Sequence, residues 1–304
     1  MSFPHRPITL ILALALLSLT GLGLAWLKWR DSREFFDPHV LLSRFPVEDS
    51  TVLSVDVALL RGAGFLTSSK VPLEPEYKQF LDGTGFDYRR DLDLLMASFS
   101  GSGSYFIARG RFDWNKLRAY AASQGGSCYQ QLCRVQGSTP ERHISFLPLR
   151  DDVLALAVST DDLAASRLTK TGQRVVAQLP SAPAWLSIPG AALRQQGVVP
   201  VGVRVVFSAL INADRVVITL MPTAHGIEAK MDASCRSADD ARVLASQLRN
   251  TTRMIKESLA ANKQTQQDDL ARMLAGGSFD ETERRVTGKW PLDRRIFDTL
   301  TEGL

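Results

Sequence analysis

The sequence predicts an α+β fold: an N-terminal transmembrane helix followed by two layered domains in which antiparallel sheet carries helices on one face. Three observations predict it. Ile8 to Leu27, "ITLILALALLSLTGLGLAWL", is a run of twenty residues without a charge. A strand–turn–strand–helix pattern recurs three times between Leu92 and Asn262. A proline-interrupted stretch over 171–183 separates the periodic segments into an N-terminal and a C-terminal group. A hairpin followed by a helix that packs back on one face is the unit of split βαβ, ferredoxin-like folds, and gives domains over 45–170 and 184–304 after a tail and anchor over 1–34.

The first of these elements follows from length. At ~1.5 Å per residue, Ile8–Leu27 spans the ~30 Å hydrocarbon core of a bilayer. The run ends in "WLKWRDSR" rather than a small-x-small cleavage site, and Trp26 and Trp29 beside Lys28 and Arg30 suit the membrane interface. The expected partner of this segment is the lipid bilayer, as a permanent single span. Next, "DSREFFDPHVLLSRFPVEDS" reads as a juxtamembrane linker or short helix that stops at Pro46, and "TVLSVDV" as the first strand. "LEPEYKQFLDGTG" reads as a helix with Pro75 in its first turn and Gly83 or Gly85 closing it.

The repeated pattern supplies the rest. "LLMASFS" and "SYFIARGRF" precede a helix capped by Asp113; "ISFLPL" and "VLALAVS" precede one capped by Thr160 or Asp161. "RVVITLM" and "IEAKMDAS" precede a long helix in which Ser237 and Asp240 resemble a capping box. In that helix Ala241, Leu244, Leu248, Ile255 and Leu259 fall on one stripe. In "IEAKMDAS", Ile227, Ala229, Met231 and Ala233 alternate with Glu228, Lys230, Asp232 and Ser234, the mark of a strand with one wet face. The tail adds one more strand and a terminal helix started by Pro291.

Composition excludes some functions. Of 304 residues, 45% are hydrophobic and 22% charged, close to globular averages. The net charge of +4, from 36 basic and 32 acidic residues, is small and scattered, and no aromatic and basic residues interleave, so nucleic-acid binding is not expected. No cofactor loop is expected: "SGSGS" has the glycines of a phosphate cradle, but a strand follows where a helix N-terminus is needed. No HExxH, Walker or nucleophile-elbow pattern occurs.

Four groups of side chains invite a functional reading. Cys128 and Cys133 flank "YQQL". Their spacing is loose for a zinc clip and too long for a thioredoxin-like centre, and no second Cys pair follows, so no metal site is expected. Two cysteines on the arms of a turn come within disulfide reach, which points to an oxidising compartment. Cys235 is left over and reads as a small buried hydrophobe. Asp87, Asp91 and Asp93, with His143 elsewhere, are the candidate polar site; the interleaved Arg89 and Arg90 favour a salt-bridged connection over a cation site. Arg284, Arg285 and Lys289 in "ERRVTGKWPLDRR" are candidates for contact with anionic lipid headgroups.

Orientation rests on two opposed signals. Arg6 and the terminal amine on one side against Lys28, Arg30 and Arg33 on the other lean towards a cytoplasmic body; the cysteine pair leans to the periplasmic side, and is the stronger. "FPVEDSTVLSVDV" after a single span, then "GTGFDYRRDLD" before a hairpin, resembles a family of uncharacterised bacterial membrane-anchored envelope proteins. The resemblance implies a single-pass, membrane-anchored envelope protein and supplies no activity; with the anchor, the expected location is the bacterial inner membrane with the soluble body on the periplasmic side. The expected function is a non-enzymatic binding or scaffolding module for an envelope protein or ligand. Alternatives are an anchored periplasmic hydrolase and a carrier of an apolar ligand.

Overall fold

Strand β1, Thr51–Asp56, is flanked on one side by β2, Leu92–Ser100, and on the other by β8, Ala184–Pro189. That second pairing joins the N-terminal and C-terminal strands into one sheet. The computed structural model describes residues 36–46, 49–65, 74–172, 179–194, 208–223, 226–261 and 269–293. The expected span over Ile8–Leu27 and the end of the chain, 294–304, lie outside them. Among the described residues no helix is long and apolar enough to cross a membrane.

The chain divides into two units, 1–44 with 171–179 and 45–170 with 180–304. In the smaller unit α1, Pro38–Leu42, is capped by Asp37, whose carboxylate accepts from the His39 N–H at 2.8 Å, and the Gly172 N–H donates to the Ser43 carbonyl at 2.8 Å. The short helix expected before Pro46 is therefore present.

The larger unit holds the sheet. Its other strands are β3, Gly103–Gly110; β4, Ser127–Tyr129; β5, Leu132–Gln136; β6, His143–Arg150; β7, Val153–Ser159; β9, Arg215–Thr223; β10, Gly226–Ser234; β11, Ser278–Thr282; and β12, Arg285–Asp293. Every pairing is antiparallel, in the order β11-β12-β10-β9-β8-β1-β2-β3-β7-β6-β5-β4. The α+β class with antiparallel sheet is as read from the sequence. The sheet is shared between the two groups of strands rather than built separately in each, because β8 returns to β1 across more than a hundred residues, a pairing no local pattern encodes.

The helices follow their local signals. α2, Val57–Gly62, is capped by Asp56; α3, Pro75–Thr84, opens on Pro75 and ends at Gly85, whose φ of 71° is the left-handed cap that glycine supplies without strain. α4 is the single turn Tyr88–Asp91, capped by Asp87. α5, Trp114–Ser123, is capped by Asp113, which accepts from the N–H groups of Asn115 and Lys116 at 3.1 Å each. The helix expected after β7 is instead a 3-10 turn, Ala164–Thr169; Asp161 accepts from the Leu163 N–H at 3.0 Å, but only six residues follow before Lys170 returns to extended backbone. After α6, Gly190–Leu193, the long helix α7 runs Ala238–Ala261, and α8 covers Asp269–Ala275. The Asp240 N–H donates to the Ser237 hydroxyl at 3.0 Å, the N-terminal half of the expected capping box.

One face of the sheet carries α5 and α7. Leu117 and Ala121 of α5 pack on Cys133 and Phe146. Ala241, Leu244, Ala245 and Leu248 of α7 pack with Val216, Met231, Ala233 and Val286. Ile227, Met231 and Ala233 are buried while Lys230 is exposed, so β10 has the wet face read from its alternation. Pro291 does not start a helix: it lies in β12 opposite Glu228, two residues past Lys289, which faces the first residue of β11, so no ladder bond needs its missing N–H.

Candidate functional site

The Cys128–Cys133 bond is present, joining directly opposed residues of β4 and β5 with Cα atoms 4.0 Å apart. Gln130 and Gln131 make the two-residue turn between them, and Gln130 takes φ of 53°, the positive value that primed hairpin turns require at their first central residue. Cys133 is buried against α5, whereas β4 is exposed along its length and is an edge of the sheet. The disulfide thus ties an exposed three-residue edge strand to the core.

Beside this hairpin lies a groove of about 310 Å³ walled by Tyr129, Leu132, Leu147 and Leu163, with Arg134 at its margin. Tyr129 is 74% exposed and Leu163 46%. Arg134 donates to Asp162 at 2.8 Å, holding the start of the 3-10 turn against β5. Sequence reading did not single out Tyr129 or Leu163. The only signal was an aromatic residue on the shoulder of an otherwise polar turn.

The three aspartates expected as a polar site come together only as structural ties. Asp91 is nearly buried and accepts from Arg90 Nε at 3.1 Å and Nη2 at 2.9 Å, from Arg111 Nε at 3.2 Å and Nη2 at 3.0 Å, and from the Asp87 N–H at 3.0 Å. The Arg90 guanidinium, aided by the Asp87 N–H and Arg111, holds its carboxyl well below the usual carboxylate range. Asp87 accepts from the Arg89 N–H at 3.0 Å and the Tyr77 hydroxyl at 3.3 Å. Burial pushes the Tyr77 hydroxyl up, with the Asp87 charge adding to it. Asp93 accepts from Arg61 Nη2 at 2.8 Å, while Arg61 Nη1 donates to the Leu92 carbonyl at 2.8 Å. These bonds fasten α2 and α4 to the start of β2.

His143 does not join them. It pairs with Ser159 at the far end of β7, whereas Asp91 lies beside Arg111 and Gly110 at the Val153 end. Six residues of strand separate the two ends, or roughly 20 Å. Gly110 is fixed by the same junction, since a Cβ there would lie 2.4 Å from the Asp91 carbonyl oxygen.

The basic residues of the last hairpin are likewise distributed. Arg285 is paired with Asp232, Arg284 Nε donates to the Cys235 carbonyl at 3.1 Å, and Lys289 stands opposite Lys230, which itself pairs with Glu228 at 2.9 Å. Cys235 is buried, and burial pushes its thiol up. Among the described residues no group of three or more His, Cys, Asp or Glu could hold a metal ion.

No family model matches the chain, and no curated protein matches it. Among solved structures, crystal form III of TP0453 is similar to it with a TM-score of 0.52 and 8% identity, covering 86% of this chain and 98% of that one. Crystal forms I and IV of TP0453 give TM-scores of 0.48 at 8% and 9% identity, each over 86% of this chain and 97% and 96% of theirs. At such identity the likeness to form III is one of fold alone.

Proposed function

We propose that the chain is a non-enzymatic binding or scaffolding module of the bacterial envelope, held in the inner membrane by Ile8–Leu27 with its body on the periplasmic side. The observation that carries this reading is the cross-strand disulfide Cys128–Cys133, whose Cys128 half lies on an exposed edge strand. A bond so placed is open to reduction and persists where the compartment is oxidising. The exposed aromatic wall of the adjoining groove supports a role in binding. The hydrolase alternative draws on Asp87, Asp91, Asp93 and His143, and gains nothing from their placement: the aspartates spend their oxygens on caps and ion pairs, and the imidazole is remote.

The test is the thiol state of Cys128 and Cys133 in intact cells, read by alkylation before and after reduction with mass spectrometry of the peptide that contains both. A linked pair fits the periplasmic module. Two thiols alkylated without reduction would place the body in the cytoplasm and defeat the reading.

A further inference from the structure

A second cleft, about 360 Å³, lies between α7 and the start of β11. Its helical wall carries Arg249, Arg253 and Lys256, which at i, i+4 and i+7 share one stripe of α7. Its other wall is Gly277, Ser278 and Phe279. The stripe lies next to the face that α7 buries, so these three exposed cations flank the cleft.

Their charges are unevenly compensated. Arg249 donates to the Phe279 carbonyl at 3.3 and 3.1 Å and pairs with Glu281 at 3.1 Å, which fixes its guanidinium against β11. Arg253 donates to the Asn250 amide oxygen at 3.1 Å, and neither it nor Lys256 has an acidic partner among the described residues. Three cations thus face one carboxylate in a space large enough for a small organic anion.

The Gly277 wall packs closely on the core. Trp290 is 8% exposed, packs edge-on against Phe279 with ring centroids 5.3 Å apart, and its buried indole N–H has no hydrogen-bond partner among the described residues. A buried donor left unpaired costs roughly 1–3 kcal/mol. The nitrogen lies 2.5 Å from where a Cβ at Gly277 would be, so the glycine is what lets this wall of the cleft close over the indole.

We infer that this cleft binds a phosphate group, through Arg249, Arg253 and Lys256. A phosphate offers several acceptor oxygens to donors arriving from different directions, whereas a carboxylate offers two in one plane. The group is carried by a free phosphate ester or by the headgroup of an anionic lipid; the chemistry recognised is the same. This inference does not depend on the envelope reading.

The experiment titrates the full-length chain, in an uncharged detergent at low salt, with inorganic phosphate and separately with short-chain phosphatidylglycerol, by calorimetry. Saturable binding of at least one probe is expected. It should weaken about tenfold or more in the variant R253A/K256A, which loses charge-assisted hydrogen bonds. Both side chains are exposed, so the variant keeps its unfolding midpoint. Binding of inorganic phosphate assigns the free source, and binding of phosphatidylglycerol alone assigns the lipid. The control K78A/R118A removes the same charge elsewhere and should bind as the wild type does. No saturable binding of either probe, equal binding by R253A/K256A, or equal weakening by the control overturns the inference.

Discussion

Arg111 lays its guanidinium on the carboxylate of Asp91 from twenty residues further along the chain, Nη2 to Oδ1 at 3.0 Å, while its own N–H donates to the Asp91 carbonyl at 2.8 Å. Side chain and backbone of one residue are therefore both held by the other, at the point where α4 turns into β2. Asp91→Asn keeps the size and loses the charge. With Asp91 8% exposed and its two arginines 67% and 66% exposed, the loss is moderated by solvent. About 1–3 kcal/mol of stability should disappear, read as a lower urea midpoint at neutral pH.

Acid should erase the same contribution. The Asp91 carboxyl is depressed in the fold, chiefly by the Arg90 guanidinium, so its stabilisation is fully present above the ordinary aspartate value, about 3.9. It is lost as the pH falls below that and through the folded value. The wild type and D91N should therefore converge in stability as the pH is lowered from about 6 towards 2. A gap that stays constant in chemical denaturation across this range would show that the carboxylate charge is not the source.

The disulfide closes a small loop, and the chain-entropy relation for a loop of this length gives about 2 kcal/mol. Among the described residues β4 has no strand on its outer side, and it buries no side chain of its own, so that constraint reinforces its three-residue pairing with β5. Cys128→Ser should lower stability by about 2 kcal/mol, and reductant should lower the wild type to the same level. Amide exchange in the variant should rise at Ser127–Tyr129 well before it rises in β7.

What was legible in the sequence was what short-range chemistry decides. Asp113 and Ser237 cap because an oxygen two or three residues ahead of orphan N–H groups is all a cap needs. Ile227 to Ser234 show their two faces because side chains alternate along any strand. The Cys128–Cys133 pair was legible for the same reason, since the turn between them is local. Three features were not. The β8–β1 pairing depends on Ala184–Pro189 meeting Thr51–Asp56 across most of the chain. The Asp91 hub depends on Arg111, which no spacing rule places beside it. Pro291 reads as a helix start until β11 is known to stop short of it. Of the candidate site residues, the cysteines were read correctly as a pair. Asp91 was a paired ion, as the neighbouring Arg90 suggested; Asp93 pairs with the distant Arg61 and Asp87 caps a helix, and His143 stood apart because strand length, invisible in a list of polar residues, separates it from them.

The tightest test of the hairpin lies in its turn. Gln130 holds φ of 53°, where a side chain with a Cβ is strained. Glu283, in the two-residue turn between β11 and β12, holds φ of 52° in the same way. The left-handed region costs a non-glycine residue about 1 kcal/mol or more, and glycine returns part of this through its greater freedom in the unfolded chain. Gln130→Gly should thus stabilise by roughly 0.5 kcal/mol with the disulfide intact, seen as a small rise in urea midpoint with an unchanged denaturant slope. The gain should be larger once the disulfide is reduced, because the turn alone then sets the register of Ser127–Tyr129 against Leu132–Arg134. A loss of stability on this substitution, in either redox state, would mean that the turn does not adopt the positive φ on which the geometry of the exposed edge rests.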